Sequence, residues 1–250
     1  MYLLKITIIF LIAFLFTACK KEEKKTVSNT SSSTSENVTE INGYFSSTKQ
    51  YIIENDSMKV KNGYNYAILY DSLHPINFNV LQYGINVGNM TINTINLKRE
   101  ISGSPPYAFD YNDSLNSVIN KPCTWSISGL GNFQSLTFYD FSVYPYYSGF
   151  KDLPDTLLAH TSNTISIGNY GGAEKVGILL RNINYEIYKE ITPPQKNLVL
   201  TADDMGQLGA GGGQVEIRLD IYKNDFRTFG NKIFQINNAL YIWKNTYLKE

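Results

Sequence analysis

Apolar and polar residues alternate along most of the chain beyond Gly43, which is the pattern of β-strands with one buried face. The clearest example is residues 215–221, where every second residue is aliphatic. Residues 176–180 alternate in the same way, but apolar Leu179 interrupts them, so we expect both faces of this strand to be covered. Such strands recur about every ten residues with turn residues between them, which predicts an all-β fold, an antiparallel β-sandwich.

Three places break the alternation and predict local features. Within residues 91–97 the phase slips near Asn93, which predicts a bulge or a short turn. The phase also changes between Phe138 and Tyr139, which predicts a second bulge. Near the C-terminus, Asn237 and Asn238 separate two apolar runs and predict the turn of a closing hairpin.

One short helix is predicted near residues 201–208. Thr201 offers a hydroxyl for the cap and Asp204 a carboxylate three residues later, and together these groups satisfy amides of the first turn. The glycine-rich residues 206–213 then end the helix. A phosphate-binding loop needs a strand before its glycines and a helix after them, and here the order is reversed, so the sequence argues against nucleotide binding.

The first 18 residues have the pattern of a secretory signal peptide. Lys5 supplies positive charge, residues 6–16 are an unbroken apolar run, and Thr17 and Ala18 are small residues suited to cleavage. The apolar run is too short to span a bilayer. Because Cys19 follows directly, the segment resembles a bacterial lipoprotein signal, and this resemblance implies lipidation of Cys19. An ordinary secretory signal is the alternative.

Residues 19–41 are predicted to tether the lipid-anchored cysteine to the body. Residues 26–40 have almost no large apolar side chains and cannot bury enough surface to offset the entropy lost on ordering. Residues 20–25 are lysines and glutamates and are similar to the charged export signal of many Bacteroidota lipoproteins, although a solvated charged tether is the alternative. The expected location is the outer membrane, at the cell surface or on the periplasmic face.

The body is long enough for one large β-sandwich or for two packed lobes. Residues 102–120 contain Pro105, Pro106 and several Asp and Asn residues, which indicates a long loop. This loop is the predicted boundary between an N-terminal β lobe, residues 42–118, and a C-terminal β-sandwich lobe, residues 119–250.

From Val87 to the end, the order of features resembles a family of Bacteroidota surface lipoproteins with immunoglobulin-like β-sandwich folds. The segments that carry the resemblance are 89–93 (NMTIN), 125–129 (WSISG), 145–149 (PYYSG), 153–156 (LPDT), 200–204 (LTADD) and 232–234 (KIF). Each is a turn or strand-end signature, so the resemblance implies a fold and a location but no activity.

Composition and motifs argue against several classes of function. The chain carries 22 basic and 22 acidic side chains, whereas a nucleic-acid binder would show an excess of basic residues. His74 and His160 lie far apart and lack the spaced ligands of a zinc site, so no metal or cofactor is expected. The sequence contains neither the HExxH motif of metalloproteases nor the GxSxG motif that carries the nucleophilic serine of α/β-hydrolases. Cys123 alternates with Trp125, which predicts an inert thiol in the core.

Aromatic residues crowd two loops and are candidate ligand-binding residues. They are Tyr144, Tyr146, Tyr147 and Phe150, and, in the preceding loop, Tyr107 and Tyr111. Rings exposed on a loop form a flat platform on which sugars can pack. Nearby Asp and Asn side chains can then form hydrogen bonds with the sugar hydroxyls. The alternative is that these rings fill the ends of the sandwich.

These patterns predict a non-catalytic binding module held on a membrane by lipid, for a glycan or another extracellular ligand. The alternative is a structural or accessory subunit that packs on an outer-membrane protein. A third hypothesis, a hydrolase, needs two carboxylates close in space. The candidate acids are Asp110, Asp113, Asp140, Asp152 and Asp155, which turns and strand ends explain as well.

Overall fold

The computed structural model describes residues 32–33, 38–76, 83–100, 108–113, 121–208 and 213–250, and it describes the backbone alone at 32–33, 99–100 and 108–113. The predicted signal peptide, Cys19, Tyr107 and most of the predicted tether lie outside the described residues. The described part of the chain is predominantly β-strand, so the predicted all-β fold is confirmed.

The strands and the single described helix follow one another in this order: β1 Ser32–Ser33, β2 Glu40–Glu54, β3 Ser57–Pro75, β4 Met90–Ile92, β5 Ile95–Asn96, β6 Lys98–Glu100, β7 Ala108–Asp113, β8 Cys123–Ile127, β9 Leu136–Asp140, β10 Tyr146–Tyr147, β11 Thr156–Leu158, β12 Asn163–Ser166, β13 Tyr170–Gly171, β14 Lys175–Arg181, β15 Glu186–Ile191, β16 Asn197–Leu200, α1 Ala202–Gln207, β17 Gly213–Phe229 and β18 Lys232–Lys249.

Two long hairpins form the centre of one large sheet. β2 pairs with β3, and β17 pairs with β18 through a turn at Gly230, whose positive φ of 63° suits glycine. β18 and β2 lie side by side in parallel and join the hairpins into the order β15-β14-β17-β18-β2-β3-β7-β6. β1 pairs with β17, and β11 pairs with β18.

Apolar side chains on one face of this sheet, which we name the inner face, pack into two clusters. The tryptophan cluster joins the inner face to a smaller sheet of order β5-β4-β8-β9 and includes Phe45, Ala67, Leu69, Met90, Trp125, Phe138, Phe234 and Ile236. The helix cluster joins it to β12, β16 and α1 and includes Ile165, Ile178, Leu200, Met205, Leu219, Leu240 and Ile242. β18 contributes to both clusters, so one strand spans two cores. The second layer makes the fold a sandwich.

Hydrogen-bonded strands cross the predicted lobe boundary at 118/119. β4 pairs with β8, and β2 pairs with β18, although each pair has one member on either side of the boundary. In the tryptophan cluster the rings of Phe45 and Phe234 lie 5.7 Å apart between centroids. The boundary therefore does not coincide with a break in strand pairing.

A buried polar seam lies between the two clusters on the inner face. It consists of Ser47, Asn65, Lys121, Asp140, Ser142, Tyr144 and Asn238. Asn238 Nδ2 donates to Ser142 Oγ at 2.7 Å, and Ser142 Oγ donates to Asp140. Asp140 also forms an ion pair with Lys121, and both side chains are almost fully buried. The pairing offsets the cost of burying these two charges.

Asn237 and Asn238 lie within β18, so the turn predicted there is wrong. β18 continues through both residues and is paired with β17 on one side and with β2 on the other. Asn237 Nδ2 donates to Asn224 Oδ1 at 3.0 Å, and Asn238 belongs to the polar seam. Hydrogen-bond partners make buried amides tolerable inside a sheet, whereas sequence alone favours a turn.

Other local predictions have mixed outcomes. A short turn at Asn93, whose φ is 54°, joins β4 to β5 as predicted. The bulge predicted between Phe138 and Tyr139 is wrong, because the register of β8 and β9 is unbroken. Asp140, paired with Lys121, takes the next inward position, while Tyr139 points outward.

The predicted helix is confirmed as α1. Thr201 Oγ1 accepts from Asp204 N, and Asp204 Oδ2 accepts from Thr201 N, so both halves of the capping box form. Met205 is buried in the helix cluster. The glycines at 209–212 lie outside the described residues.

The N-terminal part of the described chain meets the body at one end of the large sheet. Within the segment predicted as a tether, Ser32 and Ser33 pair with Thr228 and Arg227 of β17. The carbonyl of Thr39 accepts from Ile76 N at 3.1 Å. No helix in the described ranges is long and apolar enough to span a bilayer.

Candidate binding surface on the outer face of the sheet

The second face of the large sheet, which we name the outer face, carries aromatic and polar side chains. Because side chains alternate between the two faces along each strand, five strands contribute to the outer face. The side chains are Tyr44, Ser46 and Thr48 of β2, Tyr64 and Tyr66 of β3, Tyr188 and Glu190 of β15, Arg218, Asp220, Tyr222 and Asn224 of β17, and Gln235, Asn237, Tyr241 and Trp243 of β18. Among the described residues, none of these side chains belongs to the tryptophan cluster or the helix cluster.

Small polar side chains form the floor of this face. Ser46, Gln235 and Asn237 are buried, and they are tied into one network. Ser46 Oγ donates to Asn237 Oδ1 at 3.3 Å, while Asn237 Nδ2 and Gln235 Nε2 both donate to Asn224 Oδ1, at 3.0 and 2.9 Å. A network of this kind holds its donors and acceptors in fixed directions, which suits recognition of a polar ligand.

Tyrosine rings border the floor on the β2–β3 side. The ring centroids of Tyr44 and Tyr66 are 5.4 Å apart, and those of Tyr64 and Tyr66 are 5.6 Å apart. Burial, followed by the proximity of Tyr66, raises the pKa of Tyr44 well above its usual value. The Tyr44 hydroxyl therefore stays protonated at neutral pH and can donate a hydrogen bond.

An ion pair and two aromatic rings lie beyond the floor, farther from the Gly230 turn along β17 and β18. Arg218 binds Asp220 through two hydrogen bonds of 2.6 and 2.8 Å, and its guanidinium lies 5.4 Å from the centroid of the Tyr241 ring. Tyr241 meets Trp243 edge-on, with 6.0 Å between centroids. Burial raises the pKa of Asp220 and outweighs the opposite effect of Arg218.

Tyr188 forms an exposed platform at the β15 edge. A Cβ atom placed on Gly177 would lie 2.1 Å from the Tyr188 hydroxyl and 2.6 Å from Cζ, so the end of the ring rests directly on the glycine backbone. Glu190 accepts hydrogen bonds from Tyr222 at 2.6 Å and Tyr188 at 3.3 Å. Burial raises the pKa of Tyr188 to about 12, and the bond from Tyr222 lowers the pKa of Glu190.

The structure does not bring the predicted aromatic residues to one exposed surface. Tyr147 is buried in the helix cluster, with its hydroxyl donating to Gly149 O at 2.6 Å, and Phe150 packs partly against the same cluster. Tyr144 lies in the polar seam, where its hydroxyl is 2.5 Å from Ser47 Oγ. Tyr146 is exposed. Its ring lies over Gly171, where an added Cβ would approach ring carbons at 2.4 Å.

The other two predicted aromatic residues belong to residues 102–120, and the long loop predicted there is wrong for 108–113, which form β7 paired with β3 and β6. Tyr107 lies outside the described residues, and Tyr111 falls in β7, where the side chains are not described. A pair of exposed rings, Tyr139 and Phe141, stacks on the smaller sheet with 5.9 Å between centroids.

The candidate acids have separate surroundings. Asp140 pairs with Lys121, Asp155 pairs with Lys244 at 2.8 Å, and Asp152 lies beside Gly168. Asp110 and Asp113 are in β7, where only the backbone is described. Within the described ranges, no group of three His, Cys, Asp or Glu side chains could hold a metal ion.

Cys123 is buried beside Lys121, whose Nζ donates to Sγ at 3.3 Å. Burial raises the pKa of this thiol more than Lys121 lowers it. The thiol therefore stays protonated at neutral pH and is a poor nucleophile, as predicted for a core cysteine.

Among the described residues, one shallow cleft opens where the β8–β9 connection meets the large sheet, and another opens where that connection meets β4 and β5 of the smaller sheet. One encloses about 380 Å³ between residues 132–136 and the β17–β18 turn, with Phe133 and Phe229 in its wall. The other encloses about 460 Å³ and is lined by Asn89, Met90 and Leu130. Neither cleft contains a side chain of the outer face.

The outer face has a signal in the sequence, which is a set of aromatic and charged residues at alternate positions of several strands and not in loops. Tyr64 and Tyr66 alternate with buried residues, as do Arg218 and Asp220 and also Tyr241 and Trp243. Tracking both faces of each strand would have found these pairs, but their convergence depends on the parallel contact of β18 with β2. No family model, curated protein or solved structure matches the chain, so the interpretation of this face depends on its own geometry.

Proposed function

We propose that the protein is a lipid-anchored, non-catalytic binding module of the cell envelope, and that its outer face binds a glycan. The observation that carries the proposal is the combination on one sheet face of a buried, hydrogen-bonded polar floor with aromatic rings along its borders.

Sugars match this combination because they have two kinds of surface. Their C–H faces pack on aromatic rings, and their hydroxyls exchange hydrogen bonds with amides and carboxylates. On the outer face, Tyr188 and Tyr241 offer rings, Arg218 and Asp220 lie on β17 between the strands that carry them, and Glu190 offers a carboxylate beside Tyr188. Six strands from β15 to β3 span roughly 24 Å at the usual strand spacing, so the face suits an oligosaccharide better than a single sugar.

The anchoring part of the proposal is supported by the N-terminal sequence. The order of Lys5, the apolar run 6–16, Ala18 and Cys19 is typical of a lipoprotein signal, and two or more acyl chains hold a protein durably on a bilayer. Mass spectrometry of the mature N-terminus tests it directly. An unmodified residue at position 19 would contradict lipidation.

A glycan array followed by calorimetry tests the ligand. We expect binding to one class of polysaccharide and a loss of about tenfold in affinity for Tyr188→Ala, because the exposed platform is removed. Tyr139→Ala is the matched control, since Tyr139 is also exposed but lies on the smaller sheet. Absence of binding to every class, or equal affinity of both variants, would overturn the proposal.

A specific observation favours a second function, that of an accessory subunit. Ile183, in the β14–β15 turn, is 97% exposed, and the neighbouring Tyr185 is also exposed. A partner protein that covered this aliphatic side chain and the tyrosine beside it would remove apolar surface from water, and aromatic residues are enriched at interfaces between proteins. Cross-linking in membranes should capture an outer-membrane protein, and Ile183→Asp should reduce the yield. Capture that is unaffected by the substitution would count against this function.

A further inference from the structure

The N-terminal segment leaves the body from a defined end of the large sheet. β2 begins at Glu40 beside His74 and Pro75 of β3, close to the β17–β18 turn, and Ser32 pairs with Thr228 just before that turn. We name this the exit end. The chain that precedes Ser32 starts from it.

The length of chain before Ser32 keeps the exit end near the anchor. About 13 residues separate Cys19 from Ser32, and a chain of that length spans at most roughly 45 Å even when fully extended. β18 has 18 residues, which extend for roughly 60 Å away from the turn. A lipid on Cys19 therefore holds the exit end close to the bilayer and leaves the other end of the sheet far from it.

Apolar side chains are exposed at this same end. Leu73 and Ile76 are exposed at the end of β3, and the Tyr83 ring lies 5.4 Å from that of His74. Leu130 is exposed in the β8–β9 connection, whose residues 132–136 share a cleft with the β17–β18 turn. Aliphatic residues with a neighbouring tyrosine are typical of segments that enter the membrane interface.

We infer that the exit end rests on a lipid bilayer, with Leu73, Ile76 and Leu130 at the boundary between headgroups and acyl chains. The inference depends on the lipid anchor of the proposed function and goes beyond it by fixing an orientation. The long strands then rise from the bilayer, the outer face stays open to the side, and Ile183 points away from the membrane.

Depth-dependent quenching tests the orientation. Leu130→Cys and Leu158→Cys are matched, because these leucines are 51% and 49% exposed and Leu158 lies at the other end of β18. Each lipidated full chain carries a fluorescent dye on the new cysteine and is reconstituted into vesicles of phosphatidylethanolamine and phosphatidylglycerol with nitroxide-labelled acyl chains. The parent chain controls for labelling of buried Cys123.

We expect quenching at position 130 to exceed that at position 158 by about twofold or more, since an interfacial segment is buried about 5–10 Å into the boundary between headgroups and acyl chains, whereas position 158 lies at the far end of β18. Ile76→Cys should behave like Leu130→Cys. Chains that float with the vesicles but show equal quenching at 130 and 158 overturn the orientation and leave the anchor intact. Chains that do not float overturn both.

Discussion

Buried charge is the most sensitive residue-scale feature of this fold. Lys121 and Asp140 are almost fully buried, so removing one partner leaves an uncompensated charge. Lys121→Met should lower the free energy of unfolding by about 3–5 kcal/mol in urea denaturation. Lys59→Met is the control, because the Lys59–Glu54 pair is exposed and should contribute less than about 1 kcal/mol. Equal losses would show that the seam does not need its ion pair.

Gly177 permits the position of the Tyr188 ring. Gly177→Ala places a methyl group where the tyrosine hydroxyl lies, and the half-exposed ring can move away. We expect the free energy of unfolding to change by less than about 1 kcal/mol, whereas glycan affinity falls as it does for Tyr188→Ala. Binding that equals that of the parent chain would remove Tyr188 from the site.

Gly206 is a control for the glycine substitution, because an added Cβ there meets nothing within 4 Å. Gly206→Ala lies in α1 and should raise the free energy of unfolding by about 0.5–1 kcal/mol, with no effect on binding. A rise in the stability of Gly206→Ala without a change in its glycan affinity would show that replacing a glycine affects binding only where the glycine contacts Tyr188. A fall in stability would contradict the open surroundings of Gly206.

At the scale of elements, the sequence predicts strands better than it predicts their partners. The alternation at 215–221 and the capping box of Thr201 are local signals, and both correspond to observed elements. Asn237 and Asn238 have the sequence pattern of a turn, because the partners that hold them in β18, Asn224 and Ser142, are on another strand or distant in sequence. Patterns within one segment carry no information on such partners.

The same limitation explains why the sequence pointed to aromatic residues in loops and not to the outer face of the sheet. Tyr147 and Phe150 stand out in sequence because they are close together, yet Tyr147 is buried in the helix cluster and Phe150 packs against it. The residues of the outer face come from five strands between β15 and β3, and only the register of those strands makes them neighbours. A clustered motif was visible in the sequence, and a surface assembled from alternate positions was not.

Tyrosines of β2, β3 and β18 predict that the fold is lost at alkaline pH. Burial raises the pKa of Tyr44, Tyr70 and Tyr241 above the usual value of 10.0. Their contribution to stability is therefore fully present below pH 10 and is lost as the pH rises towards the folded-state pKa, by up to about 1.4 kcal/mol per pH unit for each group. Tyrosinate absorbance should rise together with loss of native tryptophan fluorescence.

Tyr70→Phe provides the control for alkaline unfolding. It keeps the buried ring and removes one ionisable hydroxyl, so the midpoint of unfolding should move to higher pH. Gradual titration of tyrosines without loss of structure would show that the outer face opens to solvent before the fold is lost.

At the scale of the whole molecule, continuous strands connect the two cores. β18 contributes Phe234 and Ile236 to the tryptophan cluster and Leu240 and Ile242 to the helix cluster, and no turn interrupts it between them. If the strand breaks its hydrogen bonds in one core, the register that positions the other core is lost. Unfolding should therefore be a single cooperative transition, as for one large sandwich and not for two separate lobes, the two arrangements that the sequence left open.

Substitutions in each core test this coupling. Leu69→Ala in the tryptophan cluster and Ile178→Ala in the helix cluster remove fully buried aliphatic groups, and each should cost about 2–5 kcal/mol. Both variants should keep one urea transition, with the midpoint lowered when monitored by fluorescence and by circular dichroism. If each substitution moved only one of two separate transitions, the polar seam would divide two units that unfold independently, and the long strands would have to fray at Asn238.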